Sequence, residues 1–177
     1  MTLKEAIKEN HDKAENHPFV KVLLSGDITA PVYADLLYNQ LFCYTVLEEV
    51  AHEAGLLEGI EEICRSPKIE WDYVDLEQNG QIYQSTIDYT KYIQTLEKPK
   101  LMGHIYARHF GDLYGGQMIK KVVPGEATMY EFDNRAELIK KVRERLSDDL
   151  GDEANRAMEF NIKLFDEIAN AHNISAT

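Results

Sequence analysis

The stretch GHIYARHFGDLYGGQMIKK, residues 103–121, reads as a helix and yet carries Gly111, Gly115 and Gly116 in its interior. A glycine inside a helix costs roughly 1 kcal/mol against alanine, so three together call for a compensating contact. Gly111 and Gly115 are four residues apart, as are Asp112 and Gly116, which lays out a flat strip of bare backbone with a carboxylate at its edge. Two occupants suit such a strip: a neighbouring helix seated on a small-xxx-small seam, or a planar, bulky ligand. The spacing alone leaves both open.

Outward from this stretch, apolar residues recur at helical spacing and no run alternates as a strand would, so the fold class is all-α. Thr2 caps a first helix in which Leu3, Ile7, His11 and Ala14 share a face and which stops before Pro18. Thr29-Ala-Pro31 opens a long run carrying Tyr33, Leu36, Leu37, Leu41, Tyr44 and Leu47, ended by Gly55. Residues 57–65 make a short helix closed by Ser66-Pro67, and the piece around Trp71 reads as loop. A helix carrying Ile87, Tyr89 and Ile93 breaks at Pro99, and the glycine-bearing helix continues to Val123, where Pro124-Gly125 stops it. Asp133 caps a helix with Leu138, Ile139 and Val142. A break over Asp149 to Asp152 precedes a last helix carrying Ala154, Met158, Ile162 and Phe165. The short connections imply a compact bundle. A chain of 177 residues fits one domain, 1–177, able to bury about 70% of its unfolded surface.

A net charge of -12 argues against non-specific nucleic-acid binding, which needs clustered cations to replace phosphate counterions. The densest basic groups are Lys4, Lys8 and Lys13 near the start and Lys140, Lys141, Arg143 and Arg145 near the end. Cys43 and Cys64 stand in no metal-type or CxxC spacing, which reads as reduced thiols and a cytoplasmic setting. The opening Met1-Thr-Leu-Lys-Glu lacks an apolar signal core, and no stretch approaches the ~20 apolar residues of a membrane helix. A form without a membrane anchor is therefore expected.

A second motif, His11-x-x-Ala14-Glu15-Asn16, precedes Pro18. Taken with Gly111-Asp-Leu-Tyr-Gly-Gly-Gln117, it resembles the proximal and distal haem-contacting helices of the biliverdin-forming haem oxygenases. The similarity runs on through Tyr44-Thr-Val-Leu-Glu-Glu49 and Asn161-Ile-Lys-Leu-Phe-Asp-Glu167, in the family's order, and is weakest around residues 55 to 98. The resemblance implies the multi-helix haem oxygenase fold, with haem b held between a proximal and a distal helix as both substrate and cofactor. It also implies oxidative opening of haem to biliverdin, with release of carbon monoxide and ferrous iron.

Residue by residue, the resemblance makes His11 the ligand of the iron, a task suited to a neutral imidazole. Ala14 leaves room for the ring, and Glu15, four residues on, is placed to bond the other imidazole nitrogen. Gly111, Gly115 and Gly116 let the distal backbone approach the ring. Asp112 holds a water that passes protons to the oxygen-binding face. Tyr44 and Arg108 match positions of the distal hydrogen-bond network, and Tyr106 lies on the same helix. An ordinary i,i+4 ion pair of Arg108 with Asp112 is the plainer alternative. Lys4 and Arg143 match the cations expected at the propionates, which are costly to leave unpaired. The family often has a lysine four residues before that arginine; Ile139 stands there instead, with Lys140 adjacent. Cleavage at the α position is expected. His104 and His109 lie on the glycine helix, but the motif puts a ligand at neither, so packing or local hydrogen bonds are expected of them.

No nucleotide-binding glycine fingerprint and no iron–sulfur cysteine set is present, so electrons must come from outside. The resemblance suggests ferredoxin, or another reductase, as donor, with dioxygen as co-substrate. The rivals are a non-catalytic haem carrier or sensor, a hydrolase with Cys43 as nucleophile, and a di-iron oxidase drawing on Glu48, Glu49 and His52. The intact run around Asp112 favours the enzyme.

Overall fold

The computed structural model of the chain describes residues 1–175; residues 176–177 of the expected 1–177 domain lie outside the described residues. The described residues form ten α-helices joined by short 3-10 turns and one π turn, with no strand among them. Helix α1 (Leu3–Glu15) starts as expected at Thr2, whose hydroxyl accepts from the Glu5 N–H at 3.2 Å while the Glu5 carboxylate accepts from the Thr2 N–H at 3.0 Å. This reciprocal box satisfies two donors that a helix start leaves bare.

Pro18 ends α1 and also opens α2 (Pro18–Leu24), a helix that the hydrophobic pattern did not announce. Proline is pre-set for a first helical turn, and His17 caps it, its Nδ1 accepting from the Phe19 N–H at 3.0 Å while Nε2 lies 2.6 Å from Asp166. His17 is thereby committed to structure. Helix α3 (Ala30–Glu53) follows its proline start and stops before Gly55, whose φ of +75° suits glycine. It is buried on two stripes rather than one: Tyr33, Leu36, Leu37, Tyr44, Leu47, Glu48 and Ala51, and beside them Ala34, Asp35, Asn39 and Cys43. A helix buried that far round is central to its fold.

Two expectations fail between residues 57 and 75. Residues 57–65 hold only a 3-10 turn, Glu61–Ile63, and Ser66-Pro67 opens a helix instead of closing one. The piece around Trp71 is helical, α4 (Ser66–Asp75). Its amphipathic signal is faint because Trp71 and Val74 are exposed. Tertiary contact supplies the start, since the buried Glu48 carboxylate accepts the N–H groups of Arg65 at 2.6 Å and Ser66 at 3.0 Å. Helix α5 (Gln84–Thr95) lies along α3, joined through Asn39, whose Oδ1 accepts from the Thr86 hydroxyl at 2.8 Å and the Tyr83 N–H at 3.0 Å.

The glycine stretch is not one regular helix. It runs α6 (Leu101–Ile105), a π turn (Tyr106–Phe110), α7 (Gly111–Tyr114) and α8 (Gly116–Lys120), ending short of Val123. Helix α9 (Arg135–Arg143) is preceded by Asn134 at φ +49°, not by Asp133 as read from the sequence. Helix α10 (Gly151–Ala171) packs against α1, α2, α5, α6 and the π turn, while α3 packs against α4, α5 and α6. The π turn thus sits over the seam of the two longest helices.

Gly103 makes the α6–α10 approach possible: a Cβ there would stand 2.9 Å from Glu153 Cβ and 3.1 Å from the backbone of Ala154 and Leu150. Backbone cannot yield cheaply, so Gly103→Ala should lower the thermal midpoint by about 3 °C or more despite alanine's better helix propensity. An unchanged midpoint would contradict this close packing.

Candidate functional site

Three of the residues singled out above lie together at the end of the π turn. The Tyr44 hydroxyl donates to Asp112 Oδ2 at 2.6 Å, joining α3 to α7. Burial pushes the Asp112 carboxyl up to about 6, outweighing the hydrogen bond from Tyr44 and the fields of His109, Arg65 and Arg108. The same burial, with Asp112 beside it, raises the Tyr44 phenol well above its ordinary range, so it remains a donor. A carboxyl that titrates near neutrality and is held by a fixed phenol is equipped to pass protons.

Arg108 does not pair with Asp112. The wider π turn takes it off the line that an α-helical i,i+4 spacing would have given, and its guanidinium donates to Asn161 Oδ1 at 2.9 Å and lies 4.1 Å from the centre of the Tyr89 ring. Burial works against its charge, but Tyr89, Cys43 and Tyr44 around it hold the proton on. It stands 5.8 Å from the Tyr44 ring, so the ion-pair alternative gives way to a place behind the Tyr44–Asp112 bond. Tyr106 stands apart from this network, stacked on Phe110 with ring centres 5.5 Å apart.

The glycines divide. A Cβ on Gly111 would meet nothing within 4 Å, and one on Gly115 only the Gly111 carbonyl of its own helix at 3.4 Å. Both are exposed, and with Tyr114 and Met118 they make an open strip at i, i+3, i+4 and i+7. Gly116 differs from the other two. It is buried, and a Cβ there would run into the Tyr130 ring, so its bare backbone is needed for core packing. By spacing the three are alike; contact with Tyr130 sets Gly116 apart.

On α1, His11 is half exposed, with Nδ1 3.9 Å from Glu15 Oε2, beyond hydrogen-bond length. Helix α2 touches both α1, which carries His11, and α8, which follows Gly115. Arg143 reaches the strip's edge, its Nη2 donating to the Tyr114 hydroxyl at 2.7 Å. Lys4 is exposed, as is Lys140, whereas Ile139 packs partly into the core and supplies no charge. A free imidazole, an open glycine strip with apolar neighbours and a cation at its rim fit a flat macrocycle with carboxylates on one edge.

The competing sites do not form. Cys43 is buried with its thiol pushed up by that burial, 3.9 Å from the Thr86 hydroxyl, which does not suit a nucleophile. Glu48 is buried and bonded to His109, while Glu49 and His52 are exposed, so no di-iron ligand set converges among the described residues.

The profile of the family described as "Heme oxygenase" matches residues 1–167. The chain belongs to the haem oxygenase family. It is 32% identical to "Heme oxygenase" of Rhodella violacea over 95% of this chain and 86% of that one, and 30% identical to "Heme oxygenase 2" of Oryctolagus cuniculus over 99% and 67%. It thus spans about two thirds of the mammalian relatives' length and over four fifths of the algal one. Among solved structures, heme oxygenase-1 from the cyanobacterium Synechocystis in complex with heme matches with a TM-score of 0.80 and 27% identity, covering 97% of this chain and 94% of that one. The heme oxygenase of Leptospira interrogans, 23% identical, shares the fold with a TM-score of 0.82.

Within this haem oxygenase, the sequence reading missed the partners behind the site: Tyr89 and Asn161 around Arg108, and Glu48 and His109 beside Tyr44. Asn161 lay in a quoted motif without a role, and its spacing gave no sign that it would meet the π turn.

Two outcomes test the geometry. Gly111→Ala should stabilise the ligand-free chain by about 0.5–1 kcal/mol, since the new methyl meets open space in a helix; a loss of stability would show the strip to be filled. Because the folded Asp112 carboxyl titrates near 6 instead of 3.8, the folded chain holds the extra proton between those values, and stability contributed here falls as pH rises through them. Asp112→Asn should therefore raise the thermal midpoint by about 2 °C or more at about pH 7 and leave it nearly unchanged at about pH 4. An equal shift at both would contradict the raised carboxyl.

Proposed function

We infer that the chain opens haem oxidatively to biliverdin, releasing carbon monoxide and ferrous iron. The observation that carries this is the Tyr44–Asp112 bond, 2.6 Å long, beside Gly111 and Gly115, where an added Cβ would meet nothing among the described residues but the Gly111 carbonyl. Bound haem supplies both the ring that is opened and the iron at which dioxygen is activated. His11 on α1 would hold the iron, with Glu15 one turn on as the carboxylate nearest its imidazole. The bare backbone of Gly111 and Gly115 would let the distal helix approach the ring and limit where oxygen can lie. Ala14 leaves room on the near face.

Asp112, with its proton exchangeable near neutrality and its orientation set by Tyr44, holds a water and moves protons through it to the reacting edge. Arg108, fixed by Asn161 and Tyr89, keeps a positive field behind Tyr44. Lys4 and Arg143 would take the propionates and so set how the ring is seated, with cleavage at the α position as the expected outcome. With Ile139 turned partly into the core, Lys140 is the nearest further cation in sequence.

Electrons enter from ferredoxin or another reductase. Of the basic group at 140–145, Arg145 is taken up by the carbonyls of Leu56 and Glu58, which leaves Lys140 and Lys141 as the exposed docking charges beside Arg143. The free thiols suit a cytoplasmic setting, and no helix of the described residues is long and apolar enough to cross a membrane.

The direct test adds one equivalent of hemin to the purified chain in air, with a ferredoxin reducing system and catalase. The Soret band should decay into biliverdin absorption with release of carbon monoxide. Stable haem through verified reduction would mean a carrier, and absence of specific binding would overturn the reading. His11→Ala should disrupt iron ligation. Asp112→Ala should retain hemin yet lose ring opening, and biliverdin formed at the parent rate would refute the proton role. Lys140→Glu with Lys141→Glu should slow ferredoxin-supported turnover and spare turnover with a small chemical reductant; equal loss in both would refute the docking assignment.

A further inference from the structure

Tyr114 stands on the open strip, three residues after Gly111 and one before Gly115, and is 47% exposed. It nevertheless has three partners. Its hydroxyl accepts from Arg143 Nη2 at 2.7 Å, its ring meets Phe110 edge-on with centres 4.9 Å apart, and the Arg135 guanidinium lies 5.5 Å from its centre. Phe110 in turn stacks on Tyr106 and has the Arg143 guanidinium 5.5 Å from its own centre. Tyr106, Phe110 and Tyr114 are thus a ladder of rings four residues apart, and Arg143 from α9 lies along it.

The ladder holds in place a long side chain that would otherwise sample many rotamers. Arg135 is held as well, its Nε donating to the Leu113 carbonyl at 2.5 Å. Neither guanidinium is paired with a carboxylate among the described residues, although the chain carries a net charge of -12. Two cations held against one exposed ring, with no internal counter-charge, prepare that rim for an anion. The phenol adds a donor of its own. Its oxygen accepts from Arg143, so it still has its own proton to give, and Arg143 keeps its other N–H groups. With the hydroxyl and the guanidinium nitrogen 2.7 Å apart, the two oxygens of one carboxylate can accept from both. Ile139, one turn before Arg143 on α9, packs partly into the core and brings no charge, so a further donor for that carboxylate has to come from elsewhere.

We propose that the Tyr114 hydroxyl and Arg143 form a single carboxylate-binding pair, through which the distal helix itself contacts one propionate of the substrate. The proposal rests on the reading of haem as the molecule laid on the glycine strip. A ring laid along Gly111 and Gly115 passes Tyr114, which lies between them in sequence, and its carboxylate edge meets the phenol and the guanidinium together. Tyr114 is then a binding residue that reads the charge of the substrate's edge, while the glycines read its flatness.

The test compares hemin with its dimethyl ester, which has the same ring and iron but both carboxylates blocked, each titrated into the chain and followed by the Soret band. Tyr114→Phe keeps the ring and its place in the ladder and removes only the hydroxyl. It should weaken hemin binding about fivefold and leave binding of the ester within about twofold of the parent, as loss of a hydrogen bond to a half-exposed charged group would. Arg143→Gln and the double variant complete a cycle. The two losses for hemin should combine to clearly less than their product, because either change breaks the pair. Parent-like hemin binding in Tyr114→Phe, equal loss of hemin and ester, or losses that multiply would each overturn the pair. A parent that binds hemin and ester equally would also overturn it while leaving haem as the ligand; a parent that binds neither would remove the reading of the strip on which the proposal rests.

Discussion

Everything at the site depends on one side of a short helix staying bare while the other is packed to contact. Gly116 presses on Tyr130 and Gly103 on the backbone of α10, whereas a Cβ on Gly111 would meet open space and one on Gly115 only the Gly111 carbonyl. Glycine in a helix interior is unfavourable; dense packing justifies the first pair, and no contact among the described residues justifies the second. The same residue type, within fourteen positions, answers two opposed demands.

The π turn at Tyr106–Phe110 joins these demands to chemistry. By widening the helix just ahead of Gly111, it separates Arg108 from Asp112 and gives each its own partners, Asn161 and Tyr44. Wide turns of this kind recur at functional sites, where they aim side chains that a regular helix would pair with one another. A direct Arg108–Asp112 ion pair would hold the carboxyl ionised. Its absence, with burial, is what lets Asp112 titrate near neutrality. Behind Tyr44, the buried links run from the start of α4 through Glu48 to His109, so a segment far from the glycine strip helps to hold the proton-bearing groups in place.

Much of this was legible in the chain itself. Thr2, Pro31 and Gly55 mark element ends by local chemistry, and α10 keeps a clear apolar period while α3 is apolar over most of its length. The motifs around His11 and Asp112 led to the family. What the sequence hid was set by tertiary contact. Helix α4 is capped from Glu48, seventeen and eighteen residues away, and its exposed Trp71 blurs the pattern. Gly116 differs from Gly115 through Tyr130, and the buried place of His109 depends on Glu48 from another helix. A local reading weighs a histidine by its neighbours in sequence, and here the deciding neighbours are in space.

The measurement that bears most directly on the central claim is a crystal structure of the chain with one equivalent of hemin. The iron should carry the His11 imidazole, with the backbone of Gly111 and Gly115 against the opposite face and the Asp112 carboxyl on that same side. A ring ligated by another histidine, or bound away from the open glycine strip, would contradict it.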